Sequence, residues 1–278
     1  MKGSKSKKIA AITGAGRGNG KAIAIELGQR GFALFLSDIQ TELLESTITD
    51  ISNRGIEVSG GIFDSSDIKD ADKFFQQIIT NYGKLDVFVN NAGASRPQGF
   101  LDLNEEMWDW TIDLNLKGPF FLMQKAAKIM INQNSGSIIN IASISSSGGD
   151  TSSPPYAIAK AGIVNMTVTA AVNLGKYGIR VNAVSPGIVN THFHDEVDLL
   201  MGQKKLGLDN LEKLSIDDRK KIISDISKQK IENLKNEIPL GRIAESEDIA
   251  DVVAFLSSDA SRYISGETIT VGGGKNQL

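Results

Sequence analysis

Tyr156 and Lys160 lie four residues apart in a segment with helical spacing, which places both side chains on one helix face. A free tyrosine has a pKa of about 10, too high for an efficient base near neutrality. A neighbouring ammonium favours the phenolate, so we expect Lys160 to lower the pKa of Tyr156. Such a phenol can protonate a carbonyl oxygen or deprotonate an alcohol. Taken singly, Tyr156 also fits a packing role and Lys160 a solvated helix charge.

A glycine-rich segment, Thr13 to Gly20, separates a short apolar run from a helical one. Glycines let the backbone approach a pyrophosphate closely, and a helix N-terminus favours its charge. Asp38 follows the next apolar run, about 20 residues on, where a carboxylate accepts hydrogen bonds from ribose hydroxyls. Because Asp38 would repel a 2′-phosphate, we expect NAD rather than NADP. Arg17 favours NADP instead, and Asp38 has a second interpretation as the cap of a helix that begins at Thr41.

The elements that must position these residues alternate along the chain. Short apolar runs predict buried strands, and the segments between them have helical spacing. This alternation predicts an α/β fold: a single-domain, Rossmann-type, doubly wound parallel sheet over residues 1–278, with helices on both faces. The predicted strands are Ile9–Ile12, Phe32–Leu36, Ile56–Ile62, Val87–Val89, Ser137–Ile141, Arg180–Val184 and Thr268–Val271. The predicted helices are Lys21–Gln29, Thr41–Arg54, Ile68–Tyr82, Tyr156–Lys176 and Glu247–Leu256.

A long polar stretch, His192 to Glu237, interrupts the alternation and is weakly helical at Ile222–Leu234. Connections of this length are usually functional, so we predict an extended helical lid over the substrate site at about residues 190–238. A surface insertion or an oligomer contact is the alternative. Two histidines and two carboxylates begin the stretch: His192, His194, Asp195 and Glu196. Because no third ligand has a recognisable spacing, we expect no metal.

Composition excludes several classes of protein. The 278 residues carry a net charge of −3, without the basic stripe of a nucleic-acid binder. The absence of cysteine excludes disulfides and thiolate chemistry. No run of about 18 apolar residues predicts a membrane span, and no signal peptide is expected because Thr13–Gly14 ends the first apolar run. We therefore expect a cytoplasmic protein without nucleic-acid or membrane partners.

Seven motifs, in order from Lys8 to Gly273, together resemble the short-chain dehydrogenase/reductase family. They are Thr13-Gly14-x-x-x-Gly18-x-Gly20, Asp64 after the third strand, Asn90-Asn91-Ala92-Gly93, Asn115, Ser143 at 13 positions before Tyr156, Tyr156-x-x-x-Lys160, and Pro186-Gly187 with Thr191. Asn19 departs from the pattern, since the family usually carries a bulky aliphatic residue there. So does Ala142, where the family often has serine. The segment between Gly187 and Pro239 is about twice as long as in many relatives.

The resemblance implies a catalytic set of Asn115, Ser143, Tyr156 and Lys160. Ser143 would hydrogen-bond the substrate oxygen, Asn115 would hold a proton-passing water, and Lys160 would also bind the nicotinamide ribose. The cofactor supplies the hydride, and the protein supplies position and electrostatics. The implied cofactor-binding residues are Gly14, Arg17, Gly18, Asn19, Gly20, Asp38, Asp64 (adenine), Asn91, Ala92, Gly93, Tyr156, Lys160, and the carboxamide segment Pro186, Gly187, Ile188 and Thr191.

We therefore expect an NAD-dependent oxidoreductase acting on a secondary alcohol/ketone pair. The Ser/Thr/His-rich mouth favours a small polar substrate such as a sugar, polyol or sugar acid. The alternatives are a 3-oxoacyl-carrier reductase, a hydroxysteroid dehydrogenase, and a non-catalytic dinucleotide-binding regulator. The carrier reductase is disfavoured because Gln133, Asn134 and Tyr177 lie where basic residues would bind an acidic carrier. The resemblance also implies a homotetramer or homodimer, built from helices around Asn115–Ile131 and Tyr156–Lys176.

Overall fold

A seven-stranded, wholly parallel sheet forms the centre of the molecule. The computed structural model describes residues 7–148, 153–191, 193 and 215–275. The strand order is β3-β2-β1-β4-β5-β6-β7. The strands are β1 Ile9–Thr13, β2 Ala33–Asp38, β3 Val58–Ile62, β4 Val87–Asn90, β5 Gly136–Ile141, β6 Ile179–Pro186 and β7 Thr268–Val271. This topology confirms the predicted Rossmann-type α/β fold.

Helices cover both faces of the sheet. After each strand, the chain must cross back along the sheet before the next parallel strand can begin, and a helix usually makes this connection. One apolar cluster packs α1, α2 and α8 on one face, and a second packs α3, α5 and α6 on the other. The helices are α1 Gly18–Gln29, α2 Thr41–Asn53, α3 Ala71–Tyr82, α4 Glu105–Ile112, α5 Gly118–Gln133, α6 Pro154–Leu174, α7 Ile216–Glu237 and α8 Ser246–Leu256.

Strand order reverses between β1 and β4, which are neighbours although β2 and β3 intervene in the chain. In open α/β sheets, ligands bind outside the carboxyl ends of the strands at such a switch point. The glycine-rich segment leaves β1 there, and Asn90-Asn91-Ala92-Gly93 begins at the end of β4. The topology therefore brings two of the predicted motifs to one edge of the sheet.

Most predicted elements occur within a few residues of their expected bounds, but the α4–α5 region differs. The sequence predicts no helix before Asn115, whereas α4 begins at Glu105 and continues through one π-helical turn, Asp113–Lys117, into α5. Asn104 caps α4 by accepting a hydrogen bond from the Met107 amide at 2.8 Å. Asparagine followed by Glu105 and Glu106 is a helix-start signal that the apolar spacing alone does not show.

The predicted lid is described only in part. Helix α7 is longer than the expected Ile222–Leu234, and Ile216 at its start is largely exposed. His192 and residues 194–214, with the histidine and carboxylate group considered for a metal, lie outside the described residues. Within the described ranges, no group of three or more metal-ligating side chains occurs. A lid over the substrate site remains a prediction.

One helical stretch, Pro154–Tyr177, is long and apolar enough to cross a membrane by length and composition alone. About a third of its most apolar window, 33%, is buried inside the protein, and α6 packs against β6. Its inward face carries Tyr156, Lys160 and Ile163, all buried. The apolar character of this helix is thus explained in part by its place over the sheet.

Candidate active site

Hydrogen bonds from the β4 segment fix the glycine-rich segment. The Thr13 hydroxyl accepts from the amides of Asn91 and Ala92, both at 3.1 Å. The Asn91 side-chain amide in turn donates to the carbonyls of Thr13 and Gly14, both at 3.0 Å. Gly14 has a φ of +62°, and a Cβ there would lie 2.8 Å from the Ala92 Cα. The Asn91 side chain therefore helps to hold the loop in this conformation.

Helix α1 begins directly after this loop without a capping side chain. Arg17 is the N-cap residue, is exposed, and makes no side-chain cap bond. The first amides of a helix need acceptors from outside the helix, and a pyrophosphate is such an acceptor. The side-chain oxygen of Asn19, in the first turn, is buried and has no hydrogen-bond partner. Both features fit a bound dinucleotide.

Asp38 ends β2 and faces the same loop. Its Oδ2 accepts from the Gly16 amide at 2.9 Å, and its Oδ1 accepts from the Gln40 amide at 2.9 Å. The N-cap residue of α2 is Gln40, so Asp38 does not have the capping role considered above. A carboxylate offers about four lone-pair sites, so roughly two remain for ribose hydroxyls. Asp38 both anchors the loop and keeps acceptor capacity.

The π-helical turn between α4 and α5 positions Asn115. Its Nδ2 donates to the carbonyls of Ala94 at 2.9 Å and Thr111 at 3.0 Å. The residue is fully buried, and its Oδ1 has no hydrogen-bond partner. A Cβ on Gly93 would lie 2.8 Å from that oxygen and 3.4 Å from the Lys160 Nζ. A larger residue at position 93 would therefore press against the Asn115 side chain.

Lys160 is buried, with 4% of its surface exposed. Its Nζ donates to the Ile141 carbonyl at 2.8 Å, at the end of β5. Burial lowers the pKa of Lys160 from its ordinary value of 10.5 to about 8, because desolvation disfavours the ammonium. A backbone carbonyl at the end of β5 thus holds the lysine in place, and its ammonium loses a proton more readily than that of an exposed lysine.

Tyr156 lies one helical turn before Lys160, and the lysine Nζ is 5.5 Å from the tyrosine ring centroid. The two side chains therefore share a helix face, as their spacing predicts. Ser143 begins the short turn Ile144–Ser146, which packs against α6. Its hydroxyl accepts from the Ser145 amide at 3.2 Å. The structure brings the ends of β4 and β5 and one face of α6 together around these residues.

The segment after β6 closes the site from the far side. Gly187 donates its amide to the Val271 carbonyl at 2.9 Å, and Ile188 accepts from the Ala244 amide at 3.0 Å. Thr191 approaches the glycine loop: a Cβ on Gly18 would lie 3.4 Å from its Cγ2. The predicted carboxamide segment, which begins with Pro186 at the end of β6, is therefore beside the start of α1.

Comparison with known protein families agrees with this geometry. The family model described as short chain dehydrogenase matches residues 8–199, which is more than half of the chain. The chain belongs to the short-chain dehydrogenase/reductase family. It is therefore an oxidoreductase of CH–OH and keto groups, in a family that binds a nicotinamide dinucleotide. A second model, described as enoyl-(acyl carrier protein) reductase, matches residues 218–276.

Relatives of this dehydrogenase match over nearly its whole length. The 3-oxoacyl-[acyl-carrier-protein] reductase of Staphylococcus aureus (strain Mu50) is 34% identical over 274 residues, covering 97% of this chain and 98% of the relative. The crystal structure of levodione reductase has a TM-score of 0.84 at 29% identity, covering 98% of each chain. That of an actinorhodin polyketide ketoreductase with NADPH has a TM-score of 0.84 at 26% identity, covering 99% of each.

The sequence motifs do not predict two contacts in the site of this dehydrogenase, one made by Phe193 and one by the Thr13 hydroxyl. Phe193 lies beside Tyr156, with ring centroids 5.7 Å apart, and its amide donates to the Thr191 hydroxyl at 3.3 Å. Thr13 joins the β1 and β4 loops through its hydroxyl. The position of Thr13 directly before Gly14 was a usable signal, whereas Phe193 had none. Asp64 follows β3 as predicted, and its Oδ1 accepts from the Ser66 amide and hydroxyl at 2.9 and 2.7 Å.

Proposed function

We propose that this dehydrogenase transfers a hydride between NAD and a secondary alcohol/ketone pair, with Tyr156 as the proton donor or acceptor. One observation carries the proposal: the buried side chains of Lys160 and Asn115 both lie close to Gly93, which is next to the glycine loop. Lys160 is also one helical turn from Tyr156. A nicotinamide dinucleotide, when bound, supplies or accepts the hydride. A packing role for Tyr156 and Lys160 leaves this convergence unexplained.

Each catalytic side chain has a distinct task in the proposal. Tyr156 gives its phenolic proton to the carbonyl oxygen during reduction and takes it back during oxidation. Lys160, with its lowered pKa, accepts and releases a proton near pH 8 and so replenishes Tyr156. Ser143 donates to the substrate oxygen as charge develops. The free Oδ1 of Asn115 accepts from a water that links the site to solvent.

NAD is the proposed cofactor because of Asp38. Its carboxylate is held in place by two backbone amides and is 9% exposed, so it cannot swing away from a 2′-phosphate. Ile39, the next residue, is exposed and supplies no cation for that phosphate. The remaining cofactor contacts proposed are Gly14, Arg17, Gly18, Asn19, Gly20, Asp64, Asn91, Ala92, Gly93, Tyr156, Lys160, Pro186, Gly187, Ile188 and Thr191.

The proposed substrate is a small polar alcohol or ketone, such as a sugar, polyol or sugar acid, since Ser143, Ser145 and Thr191 offer hydroxyls around the site. A second candidate is the reduction of a 3-oxoacyl group on an acyl carrier with NADPH. Two observations favour it: the 34% identical relative has that name, and the Phe193 ring makes one wall of the site apolar. Against it, no described basic side chain occupies positions 133, 134 or 177.

We further propose a single cytoplasmic domain that assembles as a homotetramer or homodimer. The support is an exposed apolar set on the two long helices, comprising Phe120, Ile158, Val168 and Val172. Side chains of this kind are usually covered when they form a contiguous patch. Light scattering of the purified protein measures the assembly directly, and a monomer at micromolar concentration would contradict it.

The experiment that tests the function measures dinucleotide binding first and turnover second. Quenching of intrinsic fluorescence gives the dissociation constants of NAD, NADP and their reduced forms. Spectrophotometric assays then compare polyols, sugars, sugar acids and hydroxysteroids in oxidation, and 3-oxoacyl thioesters in reduction. NAD binding with turnover of one class supports the proposal. Binding without turnover across the panel would favour a regulator, and failure to bind any dinucleotide would overturn the proposal.

A further inference from the structure

Asn19 is polar where its family usually has an aliphatic side chain, and in the structure its side-chain oxygen has no hydrogen-bond donor. Its Oδ1 is buried in the first turn of α1 and has no hydrogen-bond partner. Nor does its Nδ2 make a hydrogen bond to any residue that the structure describes. A buried amide oxygen without a donor costs free energy comparable to a lost hydrogen bond. The side chain is therefore suited to accept a hydrogen bond from a ligand.

We propose that the Asn19 side chain accepts a hydrogen bond from the carboxamide NH₂ of the bound nicotinamide. The inference rests on the proposed function, because it requires a nicotinamide dinucleotide in the site. The resemblance implies only that Asn19 lies at the cofactor, and the proposal assigns a specific contact to its side chain.

The carboxamide is the group of a bound dinucleotide that best fits as a hydrogen-bond donor to Asn19. A carbonyl oxygen needs a donor, and the pyrophosphate offers only acceptors. The adenine amine is expected near Asp64 and the adenosine ribose hydroxyls near Asp38, at the β2 and β3 end of the sheet. Asn19 instead follows Gly18, which approaches Thr191 after β6. The nicotinamide ribose hydroxyls are assigned to Tyr156 and Lys160, which leaves the carboxamide.

The test pairs a change in the residue with a change in the ligand. In 3-acetylpyridine adenine dinucleotide, a methyl group replaces the carboxamide NH₂, so the donor is lost and the rest of the molecule is kept. Dissociation constants for NAD and this analogue are measured by titration calorimetry on wild type and Asn19→Leu. We expect Asn19→Leu to reduce the preference for NAD over the analogue by about fivefold, the value of one hydrogen bond.

Two further variants make the result specific. Asn19→Asp keeps an acceptor oxygen, so we expect it to keep the preference even if its added charge weakens both ligands near the pyrophosphate. Asn53→Leu is the matched control, because Asn53 is exposed at the end of α2 and away from the site. It should leave both dissociation constants unchanged. If Asn19→Leu is unstable, Asn19→Ser removes the same reach with a smaller side chain and the same expectation.

The possible outcomes distinguish the inference about Asn19 from the proposed function. A preference that is unchanged in Asn19→Leu or Asn19→Ser, with NAD still bound, overturns the inference and leaves the proposed function intact. Weaker binding of both ligands with an unchanged preference also overturns it, since the amide would then serve the pyrophosphate. Failure of the wild type to bind NAD or NADP would overturn the proposed function and this inference with it. If NADP is preferred, the NADP pair of ligands replaces the NAD pair.

Discussion

Two buried or half-buried cations lie at opposite edges of the same sheet, and their surroundings differ. Lys160, at the carboxyl edge, donates to one backbone carbonyl, that of Ile141. Arg180, at the amino edge, donates to the carbonyls of Leu256, Ser258 and Ile264 at 2.7, 3.4 and 3.4 Å, and to the Ser137 hydroxyl at 3.2 Å. Arg180 is surrounded by acceptors from its own chain, whereas Lys160 is not.

The difference fits a structural role for Arg180 and the proposed catalytic role for Lys160. Burial lowers the pKa of both side chains, but Arg180 stays charged because its ordinary pKa is far above neutrality. The pKa of Lys160 falls to about 8, which is close to physiological pH. A groove of about 710 Å³ also lies at the Arg180 edge, yet no predicted site residue lines it. This groove and the proposed active site therefore lie at opposite edges of the sheet.

The largest effect is expected for Tyr156→Phe. This change removes only the hydroxyl and keeps the ring against Phe193, so we expect kcat to fall by about 10²–10⁴-fold, the range of general acid–base catalysis. Dinucleotide affinity should be retained. Steady-state kinetics and fluorescence titration measure the two quantities on one preparation. Near-normal turnover would remove Tyr156 from the mechanism and leave Lys160 without a functional partner.

Lys160→Met is expected to lower activity and to stabilise the fold. A pKa depressed from 10.5 to about 8 means that the folded state disfavours the ammonium, which costs it about 3 kcal/mol below pH 8. This cost fades as pH rises from about 8 to about 10.5, where the unfolded chain also loses its proton. Without the lysine, the free energy of unfolding at pH 7 should rise by as much as about 3 kcal/mol.

Urea denaturation of wild type and Lys160→Met at pH 7 and pH 10 measures this effect. The difference between the two proteins should be larger at pH 7 than at pH 10. Lys73→Met, at an exposed position on α3, is the control and should show no such trend. A variant that is equally destabilised at both pH values would show that Lys160, like Arg180, is held for structure.

Arg180→Met tests the other half of the comparison. The change leaves the Ser258 and Ile264 carbonyls without this donor, so we expect the free energy of unfolding to fall by about 2 kcal/mol. Since Arg180 lies at the edge opposite the site, kcat/KM of the folded protein should be unchanged. Thermal unfolding and kinetics at a temperature where both proteins are folded provide the measurements. A selective loss of activity would give Arg180 a role that its hydrogen bonds do not explain.

The smallest effect is expected for Thr13→Val. Its hydroxyl accepts from two amides that join the β1 and β4 loops, and losing it should cost about 1 kcal/mol of stability. NAD affinity should weaken by a similar factor of about five, because the loop is less ordered before binding. Thr13→Ser restores the hydroxyl and should behave like wild type. Equal behaviour of the valine and serine variants would contradict the role of this hydroxyl.

Sequence patterns predicted the fold well because most strands are short apolar runs next to segments with helical spacing. The family resemblance placed Asn115, Ser143, Tyr156 and Lys160, and the structure brings their elements together. Periodicity did not find α4, whose start depends on the Asn104 cap. Nor could it find the Phe193 contact or the unpartnered Asn19 oxygen, because both depend on contacts between segments far apart in sequence. The role of residues 190–238 as a lid over the substrate site stays a prediction.

The number of residues in the π-helical turn before α5 determines which way the Asn115 side chain points. In that turn the Gly118 amide donates to the Asp113 carbonyl five residues back, whereas an α-helix spaces its bonds by four. Just before this turn, the Thr111 carbonyl accepts from the Asn115 side chain at 3.0 Å. Deleting one residue from the turn would rotate everything on one side of it by about 100° relative to the other. Insertions and deletions in this short stretch are therefore more damaging than most substitutions there, even substitutions of neighbouring side chains.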